Sequence, residues 1–360
     1  MIAFKRRLLA FTMATVGLST AAAAKTGEAE RWDAFVAAVV RVNDVAWRLR
    51  TANAELCGTR ARWSQGIAAG TVWDLPSSLQ VAAETALGFD RRMRVLAVAA
   101  GSPAAEAGIR AGDRIAAIDG SSLGSKPTVS GLRNGLDRPA PALELHGPDG
   151  QARSVVLASR RICDVDMQVL ASFGRSLPPA PNAATLGLET LQHIGSDDDL
   201  AFLLAHDVAH VLLDHFRNKS DDHAAAPAVS QALALALGVP SLAGGGNPLA
   251  RPYGPAREAE ADMLAVTLMR AAGYDAGGVP ELLARHQRAY GEANVSLCMV
   301  GHPCNHPVTE ARIRALGPDG AAPASPGAAL PVTPPSREAL SDFLGRDYGP
   351  ATGPERGLFF

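Results

Sequence analysis

The chain has 360 residues, 47% of them hydrophobic and 19% charged, with a formal net charge of −2. This is an ordinary globular composition with room for about two domains, and the near-neutral balance gives no support for nucleic acid as a partner. Aromatics are few, at 5%, while Ala, Gly and Pro are plentiful, so small-residue helices and loops are expected.

The first 24 residues have the pattern of a targeting segment: Lys5-Arg6-Arg7, an apolar run from Leu8 to Ser19, then Ala22-Ala23-Ala24 as a small-residue cleavage site. The run is short for a bilayer span, and an uncleaved anchor is the alternative. No later segment is long enough to cross a membrane, so the expectation is an exported, soluble, periplasmic protein without a stable membrane span. Apolar residues at Phe35, Val39, Val42, Val45, Ala46, Leu49 and Ala52 predict a helix over 29–56. All four tryptophans fall between 32 and 73, and core packing is expected for them.

The character changes over 85–158. A strand is predicted at Val95–Val98. Gly101-Ser-Pro-Ala-Ala-Glu-Ala-Gly108 predicts a short helix closed by glycine, and a further strand ends at the tight turn Asp119-Gly120. This stretch resembles a PDZ domain of the bacterial HtrA type, assigned to 82–159. The resemblance implies that Leu87, Gly88 and Phe89 offer backbone N–H groups to a peptide carboxylate, and that the peptide adds as a strand beside a helix at Val129–Leu136. The PDZ fold serving only as a spacer is the alternative.

Four cysteines fit an oxidising compartment and suggest two disulfides, with three pairings open. Sequence proximity favours Cys298 with Cys304, leaving Cys57 with Cys163, one on each side of the predicted module. Residues 317–335 read as a Pro/Ala/Gly linker, so 317–360 is assigned as linker and tail. The apolar ending Leu358-Phe359-Phe360 is the kind of terminus a PDZ groove captures, including this chain's own, with a frayed tail as the alternative.

The chemistry sits in Leu200–His215. His206 and His210 are four residues apart on a predicted helix, which puts both rings on one face, one turn apart. Ser196 followed by Asp197, Asp198 and Asp199 supplies an N-terminal cap and acidic first turn. A hydrolytic zinc site needs three protein ligands, an open position for water, and a carboxylate orienting an imidazole. Glu258 and Asp262, one turn apart on a second predicted helix opening near Ala256, supply those two roles.

The linked pattern His-x-x-x-His, Arg-Glu-x-Glu-Ala-Asp, Ala-Gly-Tyr-Asp and His-Pro-x-x-x-x-Arg-Ile resembles metallopeptidase family forty-eight, the gluzincins that include HtpX, the CAAX prenyl protease and BepA. The resemblance implies an α+β protein. Its mainly helical zincin-like (gluzincin) metallopeptidase domain is split over 25–80 and 160–316, with the small β-rich PDZ domain inserted. It implies one Zn2+ per chain on His206, His210 and Glu258, with Asp262 behind them. It also implies a loop histidine over the metal, as in the BepA-like members. His306 with Pro307 and Arg312 matches that element, and His302 is its rival.

The family has glutamate where this chain has Asp207. That residue is the expected general base and proton shuttle, and its carboxylate reaches about 1.5 Å less far than a glutamate's. Two functional readings are open. One is an exported zinc endopeptidase acting on protein or peptide substrates recruited by the PDZ module, for which the resemblance implies envelope protein quality control. The other is a catalytically degenerate protein that binds zinc and peptide without cutting. A purely structural PDZ protein would bind no zinc.

Overall fold

The computed structural model describes residues 3–170, 182–188, 191, 194–215, 255–290, 310–317 and 358–359. Helix α1 (Ala3–Ala52) is continuous across the expected processing point after residue 24. From residue 27 onward its apolar face is visible: Trp32, Phe35, Val39, Val42, Val45, Ala46 and Leu49 are buried, while Ala52 at its end is exposed. That 3.6-residue periodicity lays one stripe against the core.

The chain then enters and leaves a β-rich region through one neck. Strand β1 (Ala61–Ser64) pairs antiparallel with β8 (Arg160–Cys163), with Ala61 opposite Cys163. Cys57 and Cys163 are disulfide-bonded there, their Cα atoms 5.4 Å apart. Helix α1 is tied to the same neck, because Arg50 donates to the carbonyl of Cys163.

Between the neck strands lies a six-stranded sheet. Its main path runs β2 (Ile67–Gly70), β3 (Arg94–Val98), β4 (Arg114–Ile118), β6 (Ala142–His146) and β7 (Ala152–Val156), with β5 (Ser121–Ser122) hydrogen-bonded to β4 and every pairing antiparallel. The sheet thus draws its first strand from upstream of residue 82. Helix α2 (Gln80–Leu87) fills the long β2–β3 connection. Helix α3 (Pro103–Glu106) starts where the Ser102 hydroxyl accepts from the N–H of Ala105, with proline in its first turn. Asp119 and Gly120 both adopt positive φ, 48° and 74°, which is the backbone of the expected tight turn. Helix α4 (Val129–Leu136) spans the residues expected, capped by the Thr128 hydroxyl on the N–H of Gly131.

One face of this sheet closes its own core of Val95, Ile109, Ile115, Ile118, Leu132, Leu136, Leu143 and Leu145. The other side is not solvent. Ala68, Leu96, Ala97 and Phe89 join the larger cluster that contains α1. The β-rich region is therefore packed on the rest of the molecule rather than hung from it.

Beyond the neck, β9 (Asp166–Leu170) pairs in parallel with β10 (Ala183–Gly187), and β11 (Leu358–Phe359) adds antiparallel to β9. Helices α5 (Asp197–Leu212) and α6 (Pro255–Ala271) pack together under this sheet and α1, followed by α7 (Val279–Tyr290) and α8 (Glu310–Ala315). Among the described residues no helix is long and apolar enough to cross a membrane.

Two tryptophans depart from the expected core packing. Trp32 and Trp47 are buried, but Trp73 is 47% exposed and Trp63 is half-buried. Each lies beside an arginine, Trp73 with Arg91 and Trp63 with Arg161 at 5.3 Å from the ring centroid. A ring stacked on a guanidinium keeps an apolar body and a wet edge.

Candidate metal centre

Helix α5 begins where the Ser196 hydroxyl accepts from the N–H of Asp199, and its first turn carries Asp197, Asp198 and Asp199 toward the positive end of the helix dipole. From Leu200 onward almost every side chain is buried, so this helix runs through the core and carries its histidines inside. Arg60, at the neck, donates to the carbonyl of Val211 at the helix's negative end.

His206 and His210 lie within that buried run, their Nε2 atoms 3.1 Å apart. Glu258, in the first turn of α6, is fully buried against both: its Oε2 is 3.4 Å from Nε2 of His206, and its Oε1 3.4 Å from Nε2 of His210. One ligand atom from each of the three residues lies within 4.8 Å of the others. Asp262, one turn further along α6, places Oδ1 2.9 Å from Nδ1 of His206.

The outer nitrogens decide what the inner ones can do. Nδ1 of His206 faces a carboxylate and so carries the proton, which leaves Nε2 as a lone pair. Nδ1 of His210 lies 3.0 Å from Nδ1 of His215, whose Nε2 lies 3.1 Å from Glu260 Oε2. With a proton on Nε2 of His215 facing Glu260, His215 accepts at Nδ1 and His210 donates from its own Nδ1. Burial holds His215 below the usual histidine range, which suits this neutral relay.

Both Nε2 atoms then present lone pairs to each other and to the Glu258 carboxylate. An all-acceptor cluster of this kind needs a cation at its centre. In the absence of metal a proton fills that need: burial pulls His206 down, yet the hydrogen bonds it donates to Asp262 and Glu258, and their charges, push it up to about 9. Two imidazoles and one carboxylate in this arrangement fit a zinc-type ion.

Arg312 of α8 completes the surroundings. It is buried, it sets Nη1 2.6 Å from Glu258 Oε2, and it grips Asp262 through Nε and Nη2. Burial opposes the charge on Asp262, but Arg312 outweighs it and holds that carboxyl below its usual range. Asp207 follows His206 on α5 and is half-buried.

The structure thus brings His206, His210, Glu258, Asp262 and Arg312 together. His302, His306, Pro307, Cys298, Cys304 and Phe360 lie outside the described residues. His215 and Glu260 were not singled out as site residues by the sequence reading. The spacing of five from His210 takes His215 off the shared helical face. It returns only because Asp214 adopts φ 58° and turns the chain back under His210.

The peptide-binding assignment is corrected. Leu87 ends α2, Gly88 is its left-handed C-cap at φ 66°, and Phe89 is 1% exposed, packed edge-on to Trp32. No strand follows until Arg94, and the N–H groups of Gly88 and Phe89 already donate to the carbonyls of Glu84 and Ala83. The strand that stands against β3 is β2, and α4 faces it across a cavity lined by Gly66, Ile67, Leu132 and Leu136. Gly66 sits at φ +78° with the Ser102 side chain where a Cβ would fall, so glycine is required there. Leu358 and Phe359 pair with Val169 and Gln168 of β9 rather than along the six-stranded sheet, although β11 comes within 8 Å of β2 between Cα atoms.

The helix-borne cluster of His206, His210 and Glu258 is a candidate site for a metal ion. Residues 181–318 match the model of peptidase family M48, and residues 94–132 match that of the PDZ domain. These matches fit an M48 peptidase with a PDZ domain upstream, a combination that implies metallopeptidase activity and peptide binding. No curated protein matches the chain.

Proposed function

We propose that the protein is an exported zinc-dependent endopeptidase whose PDZ region recruits its peptide or protein substrates. The observation that carries this reading is the buried acceptor cluster of His206, His210 and Glu258, with Asp207 beside it on the same helix. His206, His210 and Glu258 would hold a zinc ion, which would supply Lewis acidity at this site. Asp207 takes the proton of the attacking water and returns it to the leaving amine. Asp262 and Arg312 fix His206 and Glu258, while His215 and Glu260 fix His210, so the ligating atoms need no reorganisation. The Cys57–Cys163 bond supports export, since such bonds persist in oxidising compartments, and envelope protein quality control is the role this placement suits.

A second reading, a zinc-binding protein that holds peptides without cutting them, is favoured by one observation: position 207 is aspartate, whose shorter arm misplaces the base. The two are separated by hydrolysis of casein by the zinc-loaded protein and its Asp207→Glu variant. Turnover by the natural chain, lost in Asp207→Asn, supports the peptidase. Turnover that appears only in Asp207→Glu establishes the holding protein.

A further inference from the structure

The helix that carries His206 and His210 ends in a turn with a defined bonding pattern. The N–H of His215 donates to the carbonyl of His210 at 3.0 Å, and the N–H of Asp214 to that of Val211 at 3.2 Å. With Asp214 left-handed at φ 58°, this is a Schellman ending, in which the second residue beyond the cap packs on the third before it. That contact is usually apolar. Here it is imidazole on imidazole, Nδ1 of His215 lying 3.0 Å from Nδ1 of His210. The helix ending is therefore the device that turns Nε2 of His210 toward the metal position.

Glycine enters the left-handed position of such a turn freely, and an L side chain does so at a cost. Aspartate stands there, and a cation faces it. Arg60 donates through Nη1 to the carbonyl of Val211 and sets Nη2 3.9 Å from Oδ1 of Asp214, with 15% of its side chain exposed. One guanidinium thus reaches both a carbonyl that closes the turn and the residue whose backbone is strained in it. Arg257 of α6 donates to the carbonyl of His215, so the turn is gripped from two sides. Arg60 is itself held firm at the neck. Its N–H donates to the carbonyl of Cys57 at 2.8 Å, and its carbonyl accepts from the N–H of Asp164 at 2.7 Å. Cys57 is one half of the disulfide, and Asp164 follows the other half.

We propose that Arg60 is a positioning residue for the metal centre: by bracing the turn at Asp214 it keeps His215 against His210, and so fixes the tautomer and direction of His210. The inference rests on the zinc reading and deepens it. It adds a residue from the neck, upstream of both matched stretches 94–132 and 181–318, to those on which metal affinity depends.

The test measures the zinc affinity of the full-length protein in competition with a chromophoric chelator. Arg60→Met is expected to weaken zinc by about tenfold, the low end for losing a group that orients a metal-bound imidazole. Arg60→Lys should recover part of that loss. Asp214→Gly should bind zinc within about twofold of the natural chain, because glycine enters the turn unaided. In that background Arg60→Met should have little further effect. In a His215→Ala background it should add nothing, since the residue it acts through is gone. A loss from Arg60→Met that persists undiminished in either background overturns the proposal, as does unchanged affinity in Arg60→Met alone. Should Arg60→Met fail to fold, Arg60→Gln, which keeps a donor for the Val211 carbonyl, takes its place in the same comparisons. A natural chain that binds no zinc overturns the zinc reading, and this proposal with it.

Discussion

Arg312 holds Asp262 by a two-pronged contact, Nε to Oδ2 at 2.7 Å and Nη2 to Oδ1 at 2.6 Å, with both side chains buried. The same guanidinium reaches Glu258. One residue of α8 thus fixes two carboxylates of α6 that face His206. Removing one partner of such a buried group leaves the other charges uncompensated. Arg312→Met is expected to lower stability by about 3–5 kcal/mol, read as a shift in the urea midpoint of chelator-treated protein. Arg312→Lys should recover little, because an ammonium cannot reproduce the fork.

The relay from His210 through His215 to Glu260 fixes which nitrogen of His210 faces the metal position. His215→Ala should weaken zinc binding by about 10–100-fold in competition with a chromophoric chelator. Glu260→Gln should weaken it less, since Glu260 is 62% exposed and an amide oxygen still accepts from Nε2.

His206 also sets a pH dependence in the metal-free protein. Its folded form is raised to about 9 against an ordinary value of 6.5, so the folded state binds this proton more tightly than the unfolded chain does. That contribution is complete below the unfolded value and is lost as pH rises through about 9. Urea unfolding of chelator-treated protein should therefore show roughly 3 kcal/mol less stability from this group at alkaline pH than at pH near 6. His206→Gln should flatten the profile. Zinc and the proton compete for the same lone pair, so zinc affinity should climb over this interval.

The legibility of these features in sequence was uneven, for physical reasons. The bounds of α4 and the Asp119-Gly120 turn were readable because capping and turn chemistry are local. His206, His210, Glu258 and Asp262 were readable because helical spacing puts each pair on one face. The groove was misread because Leu87-Gly88-Phe89 has the composition of a carboxylate loop, whereas Gly88 is there to end α2. The strand that matters, Ile67–Gly70, is separated from β3 by α2 and two short 3-10 turns, so its pairing is invisible to any short window. The one local signal was Gly66, before a run of small residues.

Strand β11 covers the outer edge of β9. Deleting Leu358–Phe360 should leave that edge unpaired, and the amides of 166–170 should then exchange with deuterium faster. Unchanged exchange would show that β9 is protected by other packing.

The Cys57–Cys163 bond closes a loop across a sequence separation of 106 residues. Replacing both cysteines by serine should cost about 2–5 kcal/mol, seen as a lower thermal midpoint without reductant. The natural protein should fall toward that midpoint when reduced.

That bond also changes how the molecule would bear mechanical load. Tension applied to the two ends of the chain enters at Cys57 and leaves at Cys163 through the sulfur atoms, bypassing everything between them. A machine that threads this protein from one end would have to admit the loop closed by the two cysteines as two lengths of chain at once. The β-rich region is, in that sense, carried by the protein without being part of its tensile path.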